Sequence, residues 1–567
     1  MKKYLVLLVL VGAVILGMAF ASPSMAQFKS WGHIEVMTVW EMKPDFNTGM
    51  PWSFDSTTRA ASRNVSWRTI SERYRFYLQY GDAKTVRAVL GFEADSADWG
   101  EAAGGGTAGN NTTFPPIGGN AYQTGSNHFG VYRSDQVQLE VKHAYLDFTI
   151  PNTPISVTAG LQYFDVGGRM WMNNDAMGII ATANFAPHRI RALWWRINDN
   201  NRFTYGVNDM YVLDWDMTKQ LFNLGAWAAY NNDLFSGQMG SYGYAANNTF
   251  TAAATGSTPA TLASGNWGVN PAPGLATQSY NLTLTTPYNK YNDHPWWIGL
   301  AGGFRPGNLD LFGQFIYNGG KRQFTGTNVN TATGVNVATS PATQQGDSTY
   351  QAWAAELAGK YRVGPGLFAG LEGYYATGQD WKKANTITQY NFAPGNPGTS
   401  ANTVSSESGS NFGNDRTVFM WMNAAQMGYY HERNFSPEGF AYARANVEYS
   451  PLTWIRTNLN YLYIWNTSTG PNGSGGTAAT VISPFTRYAT AAQPNSPIGA
   501  RQDKQYNYVG QEVNLITTFR IYQNFDYNVG LYVFFPGQMF DRINADGSTN
   551  TSASTSYGIN TKLIYAF

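Results

Sequence analysis

Between residues 136 and 163 the chain reads QVQLEVKHAYLDFTIPNTPISVTAGLQY, and its apolar and polar positions alternate. His143, Tyr145, Asp147 and Thr149 fall on one side, and Ala144, Leu146, Phe148 and Ile150 on the other. After Pro151-Asn152-Thr153-Pro154, Ile155, Val157, Ala159, Leu161 and Tyr163 alternate with Ser156, Thr158, Gly160 and Gln162. Side chains along a strand point to opposite faces with period two, so the stretch predicts a β-hairpin. One face is wholly apolar, and the other stays polar at mid-strand. Strands of soluble sandwiches usually run about 5–6 residues. Arms of about ten residues ending in aromatics match what crossing a bilayer requires.

The pattern recurs along the chain. Further strands are expected at 32–41, 67–80, 85–95, 177–183, 189–197, 205–217, 221–231, 296–304, 309–318, 350–362, 367–378, 442–449, 454–465, 508–521, 525–535 and 556–567. That makes about 18, an even number as a closed antiparallel barrel needs, with 16 as the alternative because 32–41, 177–183 and 189–197 alternate least clearly. Every second connection is about three to five residues, while most of the others are long, as at 233–293, 379–440 and 466–507. Long segments such as 256–274 and 394–413 are rich in Gly, Ser, Thr, Asn and Pro and read as solvated loops. The expected fold is therefore all-β: a transmembrane antiparallel barrel with short periplasmic turns and long extracellular loops. A secreted all-β adhesin competes on composition alone, but it has no reason to alternate short and long connections.

Composition narrows the class. Met1-Lys2-Lys3, an apolar run at 4–20 and Ser24-Met25-Ala26 before Gln27 read as a secretory signal peptide. Residues 1–26 are thus set apart from a single barrel domain over 27–567, and the chain is expected to leave the cytoplasm. Cysteine is absent, which removes disulfides and thiolate metal sites. Lys plus Arg number 37 against 36 Asp plus Glu, and losing Lys2 and Lys3 leaves one more acid than base. Such a balance gives no electrostatic footprint for nucleic acid. Charged residues are 13 % of the chain, against a usual ~25 %, while aromatics are 15 % and glycines number 60. Mean hydropathy is −0.32, and after the signal no stretch approaches the ~18 apolar residues of a spanning helix. In the final strand Tyr557, Ile559, Leu563, Tyr565 and Phe567 share a face, as in the sorting signal of bacterial outer-membrane proteins.

GFEADSADWGEAAGGG, VKHAYLDFTIPNTPISVTAGLQ and NDAMGIIATANF, with the basic-aromatic strand ERYRFYLQY, resemble the outer-membrane homotrimeric porins of sulfate-reducing and related bacteria. The resemblance is clearest over 72–198. It implies a homotrimer of water-filled barrels in the bacterial outer membrane, in contact with lipid and lipopolysaccharide and passing small hydrophilic solutes. VGQEVNLITTFRI and NVGLYVFFPGQMF are also similar to the last hairpin of alginate-export-type barrels. No substrate residue of either family can be placed between 233 and 440.

Barrels of this size leave an aqueous lumen, so function is expected in inward side chains and infolded loops. Opposite Tyr74, Phe76, Leu78 and Tyr80, the second strand presents Arg73, Arg75, Tyr77 and Gln79; Arg87 and Glu93 follow on the third. Asp310, Glu356, Lys360 and Glu372 come from strands nearly diametrically opposite. Bases facing acids would create a transverse field that orients dipolar solutes and separates anion from cation paths. The alternative is that these charges hydrate the lumen and pair with strand neighbours. A second basic set, Arg189, Arg191, Arg444, Arg456 and Arg520, has inward counterparts in Asp147, Asp214, Asp216, Glu448 and Glu512. This near balance predicts weak ion selectivity and counts against a polyanion exporter.

The run DVGGRMWMNNDA at 165–176 is the candidate constriction loop, with Arg169, Trp171, Asn173, Asn174 and Asp175 placed to narrow the pore. Trp296, Trp297, Trp454, Trp465, Tyr361 and Tyr449 sit at strand ends, where interfacial girdles belong. The six histidines lack zinc-ligand spacing, no GxSxG or phosphate-binding loop occurs, and DRINADG lacks the glutamate of a calcium loop. Neither an enzyme nor a cofactor is expected. Three readings stand: a passive porin first, a substrate-specific or exporting channel with an inner plug second, and a structural anchor or adhesin third.

Overall fold

The computed structural model describes residues 28–42, 66–82, 85–98, 139–167, 171–199, 207–233, 250–253, 261–264, 277–278, 291–324, 348–378, 380, 383, 386–390, 439–467, 508–537, 542–543, 549–551 and 554–567. Eighteen long strands follow one another: β1 (Lys29–Met42), β2 (Ser66–Gly81), β3 (Val86–Asp98), β4 (Leu139–Thr149), β5 (Ile155–Val166), β6 (Met172–Phe185), β7 (His188–Asp199), β8 (Val207–Thr218), β9 (Phe222–Asp233), β10 (Tyr291–Phe304), β11 (Leu309–Phe324), β12 (Ser348–Gly364), β13 (Leu367–Ala376), β14 (Phe440–Leu452), β15 (Ile455–Asn466), β16 (Tyr508–Tyr522), β17 (Phe525–Pro536) and β18 (Ser556–Ala566). Each pairs antiparallel with its neighbours in sequence, and β1 pairs with β18 to close the ring, as in Met37↔Lys562. Closure leaves no edge, so the backbone polar groups of the wall satisfy one another, the condition for strands to cross hydrocarbon. The count is 18 rather than 16.

The seam is tied at its turn side by Phe567, which exchanges backbone hydrogen bonds of 3.0 Å with Gly32 in both directions. Its ring lies 6.2 Å from Tyr74 and 6.4 Å from Phe76.

Several strands exceed their expected bounds, among them β10, β11 and β6. Residues 172–176 show no alternation, yet they continue β6 because they pair with the end of β5, Val166↔Met172 through Gln162↔Ala176. The connection expected at 165–176 therefore shrinks to 167–171, and Ala186-Pro187 alone joins β6 to β7. The short turns at 82–85, 150–154, 219–221, 305–308, 365–366, 453–454 and 523–524 lie at the same end as Ala186-Pro187. The signal segment, most of the long loops, Arg169 and most of DRINADG lie outside the described residues. Within the described parts of the long connections, Phe250–Ala253, Thr261–Ser264 and Thr277–Gln278 form a small sheet, as do Arg542–Ile543 and Thr549–Thr551.

The outer wall carries Leu146, Ile179, Leu213, Leu300, Leu357 and Leu371, all exposed. So continuous an apolar surface would associate in water, and a bilayer covers it. Trp296, Trp454, Tyr361 and Tyr449 are exposed on this wall or at its turns, as expected of a girdle. Trp297 is not: it faces inward and is 1 % exposed. Its partners Ala229 and Asn318 both face the lumen, and register, not position near a strand end, decides its side.

Gly320 shows what the wall demands locally. Its φ is +119°, and an added Cβ would sit 2.3 Å from the carbonyl oxygen of His294. Gly320→Ala should therefore lower barrel stability by ~1–3 kcal/mol, read as an earlier urea midpoint. An unchanged midpoint would contradict the strain argument.

Candidate functional site

Alternation sends one row of each strand inward, and the cross-strand register decides which inward side chains meet. On the β18–β4 side, Glu35 accepts from Lys562 Nζ at 2.9 Å. Glu93, 4 % exposed, is surrounded by three bases: Arg73 at 3.1 Å, Arg75 at 3.0 Å and Lys142 at 2.8 Å. Lys142 occupies an irregularity where Gly91↔His143 gives way to Phe92↔Val141, which brings it inward beside His143. Both bind Asp175 of β6, at 2.8 Å from Lys142 Nζ and 2.9 Å from His143 Nε2. His143 thus partners Asp175 rather than Asp147, which accepts from Arg87 Nε at 2.8 Å. Lys142 was missed in the sequence because strict alternation turns it outward.

Around the rest of the ring the pairs are equally local. Arg189 binds Asp216, and Arg191 Nε donates to Asp214 at 2.6 Å. Gln314 Nε2 donates to Glu356 at 2.5 Å, and Lys360 Nζ lies 2.9 Å from Glu448. Arg444 lies 2.6 Å from Glu372, which also accepts from the Tyr442 hydroxyl. Arg444 continues through Asn460 at 3.0 Å to Asn514 at 2.9 Å, and Asn514 donates to Glu512 at 2.8 Å. Arg305 and Asp310 pair at 3.1 Å, and Arg520 and Asp526 at 3.4 Å, both at the turn side. Arg456 is exposed there and has no ion-pair partner among the described residues. The bases and acids therefore do not face one another across the lumen as bare walls; most are met by a charged or amide partner on a nearby strand, as buried charges require. A residual asymmetry survives. Lys562, Arg73, Arg75 and Lys142 outnumber Glu35, Glu93 and Asp175 by one, whereas Glu356, Glu372, Glu448 and Glu512 outnumber Lys360 and Arg444 by two.

Toward the loop side the inward rows become apolar: Val39 on β1, Phe164 on β5, Trp195 on β7, Met210 on β8, Trp297 on β10, Ile316 on β11, Ala354 on β12, Ile464 on β15 and Phe534 on β17. All are buried. They form a largely apolar band, or collar, around the loop-side lumen, with Phe164, Trp171, Trp195, Trp227 and Trp297 in ring contact on its β5–β10 side. The short 167–171 connection contributes directly. Trp171 packs its ring 4.6 Å from Trp227 of β9 and 5.3 Å from Trp297 of β10, several strands away. Gly167, with φ +68°, lies beneath the Trp227 indole, which an added Cβ would meet at 3.0 Å. Of the five constriction candidates, the structure places Trp171 in the collar and Asp175 in the Lys142–His143 network. Asn173 and Asn174 lie on β6, and their side chains are outside the described set. A second inward piece is Tyr390, buried in the same cluster. It follows Thr386–Ile387, which pairs parallel with the top of β12 where β13 has ended.

Among the described residues no three metal-ligating His, Cys, Asp or Glu side chains converge.

No family model matches the chain, and no curated protein matches it. Among solved structures it is similar to Pseudomonas aeruginosa OccK8 (OprE), with 9 % identity, 95 % of this chain and 98 % of that one covered, and a TM-score of 0.42. The outer membrane channel DcaP of Acinetobacter baumannii aligns at 9 % identity over 97 % and 99 % of the two chains, with a TM-score of 0.34. OmpT, an outer-membrane protein of Vibrio cholerae, aligns at 9 % identity over 96 % and 99 %, also at 0.34. Scores this low carry no weight beside the geometry.

Proposed function

We propose that the chain is a porin of the bacterial outer membrane, a channel through which ions and small hydrophilic solutes diffuse passively. The observation that carries this reading is a closed ring of 18 strands with an apolar exterior and an interior row of charged side chains. A wall built that way places water-compatible groups along an axis through hydrocarbon. Because the inward charges compensate one another, selectivity between anions and cations is weak. The barrel is embedded among lipid and lipopolysaccharide, and the resemblance to trimeric porins supports assembly as a homotrimer. The outer stripe of Ala226, Ala228 and Gly302 is flat enough for close approach of a second copy.

The second reading, a substrate-specific or exporting channel with an inner plug, has the apolar collar in its favour. Liposome swelling separates the two. Vesicles holding the purified protein should swell in arabinose and more slowly in larger sugars, with the rate set by solute size. Swelling restricted to one solute class would favour the specific channel, and no swelling in any solute would contradict passive diffusion.

A further inference from the structure

Just beyond the apolar band, at the loop-side ends of β8, β9 and β10, the inward rows turn polar again. Asn231 and Asp233 share the inward face of β9 with Trp227, Asn208 shares that of β8 with Met210, and Asp293 shares that of β10 with Trp297. Register sets them side by side: Asn208 is the cross-strand partner of Asp233, and Asp233 that of Asp293. Such partners hold their Cβ atoms about 4.5–5.5 Å apart, and Asn231 is the next residue along the same face of β9. All four side chains are buried, Asn231 at 2 % exposure and Asn208 at 8 %. Yet the Oδ1 atoms of both asparagines have no hydrogen-bond partner among the described residues. A buried carbonyl oxygen without a donor is costly, and here two of them adjoin one carboxylate.

The charges fix the sign of the ligand that would relieve this cost. Asp293 is held from its far side by Arg322 at 2.7 Å and by the Tyr350 hydroxyl, 2.7 Å from each carboxylate oxygen. A carboxylate offers about four lone-pair positions, so these contacts orient Asp293 without exhausting it. Arg322 offsets one of the two carboxylates, and Arg196 and Asp209 nearby pair with each other at 2.9 Å. One negative charge remains in excess.

We infer that Asn208, Asn231, Asp233 and Asp293 form a binding site for a hard divalent cation of calcium's size. Carbonyl and carboxylate oxygens are the ligands such an ion takes, and donors spread over three strands suit its loose geometry better than the strict octahedron of magnesium. Bound there, the ion ties β8, β9 and β10 together where the long connections leave the wall, and brings positive charge to the loop-side mouth. The site stands on the placement of these four side chains, whether or not solutes pass along the lumen.

Calorimetric titration of calcium chloride into chelator-treated, full-length protein freed of lipopolysaccharide tests it, with heat-modifiable gel migration confirming the fold of each variant. One ion per chain should bind at the site with a dissociation constant of roughly 10⁻⁴–10⁻³ M, and magnesium about tenfold more weakly. Asp233→Asn and the double change Asn208→Ala with Asn231→Ala should each weaken calcium binding about tenfold. Asn446→Ala, which removes a lumen amide paired with Asn458 on the opposite side of the ring, should leave it unchanged. Asn231→Asp adds a carboxylate: it should bind calcium about tenfold more tightly and, in chelator, unfold earlier than the wild type. An amide that only fills space would give no such gain. Absence of calcium binding by folded wild type, equal affinity for magnesium, or calcium binding that the changes at the site leave as it was would overturn the inference.

Discussion

Glu93→Gln should both destabilise the barrel and turn its weak selectivity toward anions. The carboxylate touches Arg73, Arg75 and Lys142 within 3.1 Å, and Lys142 also reaches Asp175. Glutamine keeps the shape and removes the charge, leaving Arg73, 7 % exposed, without that compensation. Breaking a buried pair from one side costs about 3–5 kcal/mol, and partial wetting of the lumen brings the expected loss to the lower end. The same change adds one positive charge to the side of the lumen already richer in bases. In a potassium chloride gradient the reversal potential should shift toward the chloride equilibrium value, while the unfolding midpoint falls. A reversal potential identical to that of the wild type would mean that solutes do not pass within reach of this network.

Trp195→Ala should produce the largest loss of packing. Trp195 is buried against Phe164 at 4.9 Å and Trp171 at 6.3 Å. Truncating a buried tryptophan costs about 3–5 kcal/mol through lost transfer energy and the cavity left behind. Phe164 and Trp171 would lose the ring they both contact, and the unfolding midpoint should fall. Wild-type stability would show that the indole is not packed as described.

The strands were legible because alternation with period two has one physical cause, the pleat, and a bilayer lengthens the signal. Fourteen-residue β6 is one exception: its Met172–Asp175 portion has no pattern of its own and is strand only because β5 lies beside it. Alternation also named most of the inward charges, from Arg73 and Glu93 to Arg444 and Glu512. It could not say which would meet, because Arg444 finds Glu372 and Lys360 finds Glu448 only through the register across β12, β13 and β14. In Trp296-Trp297 two adjacent aromatics gave no hint of which faces the lumen. The collar was least legible of all. Rows such as Phe164 and Val166 or Trp195 and Leu193 are apolar on the inward face, against the polar-inside rule that the rest of the barrel obeys. Trp171 was singled out for its position after β5, but its niche is built from strands as distant in sequence as β7 and β10.

The central claim is that the axis of this barrel is an aqueous path through a membrane. Its most direct test is the current through purified wild-type protein in a planar bilayer under a salt gradient. The account predicts discrete conducting steps with a reversal potential near zero. Folded protein that inserts and never conducts would contradict it.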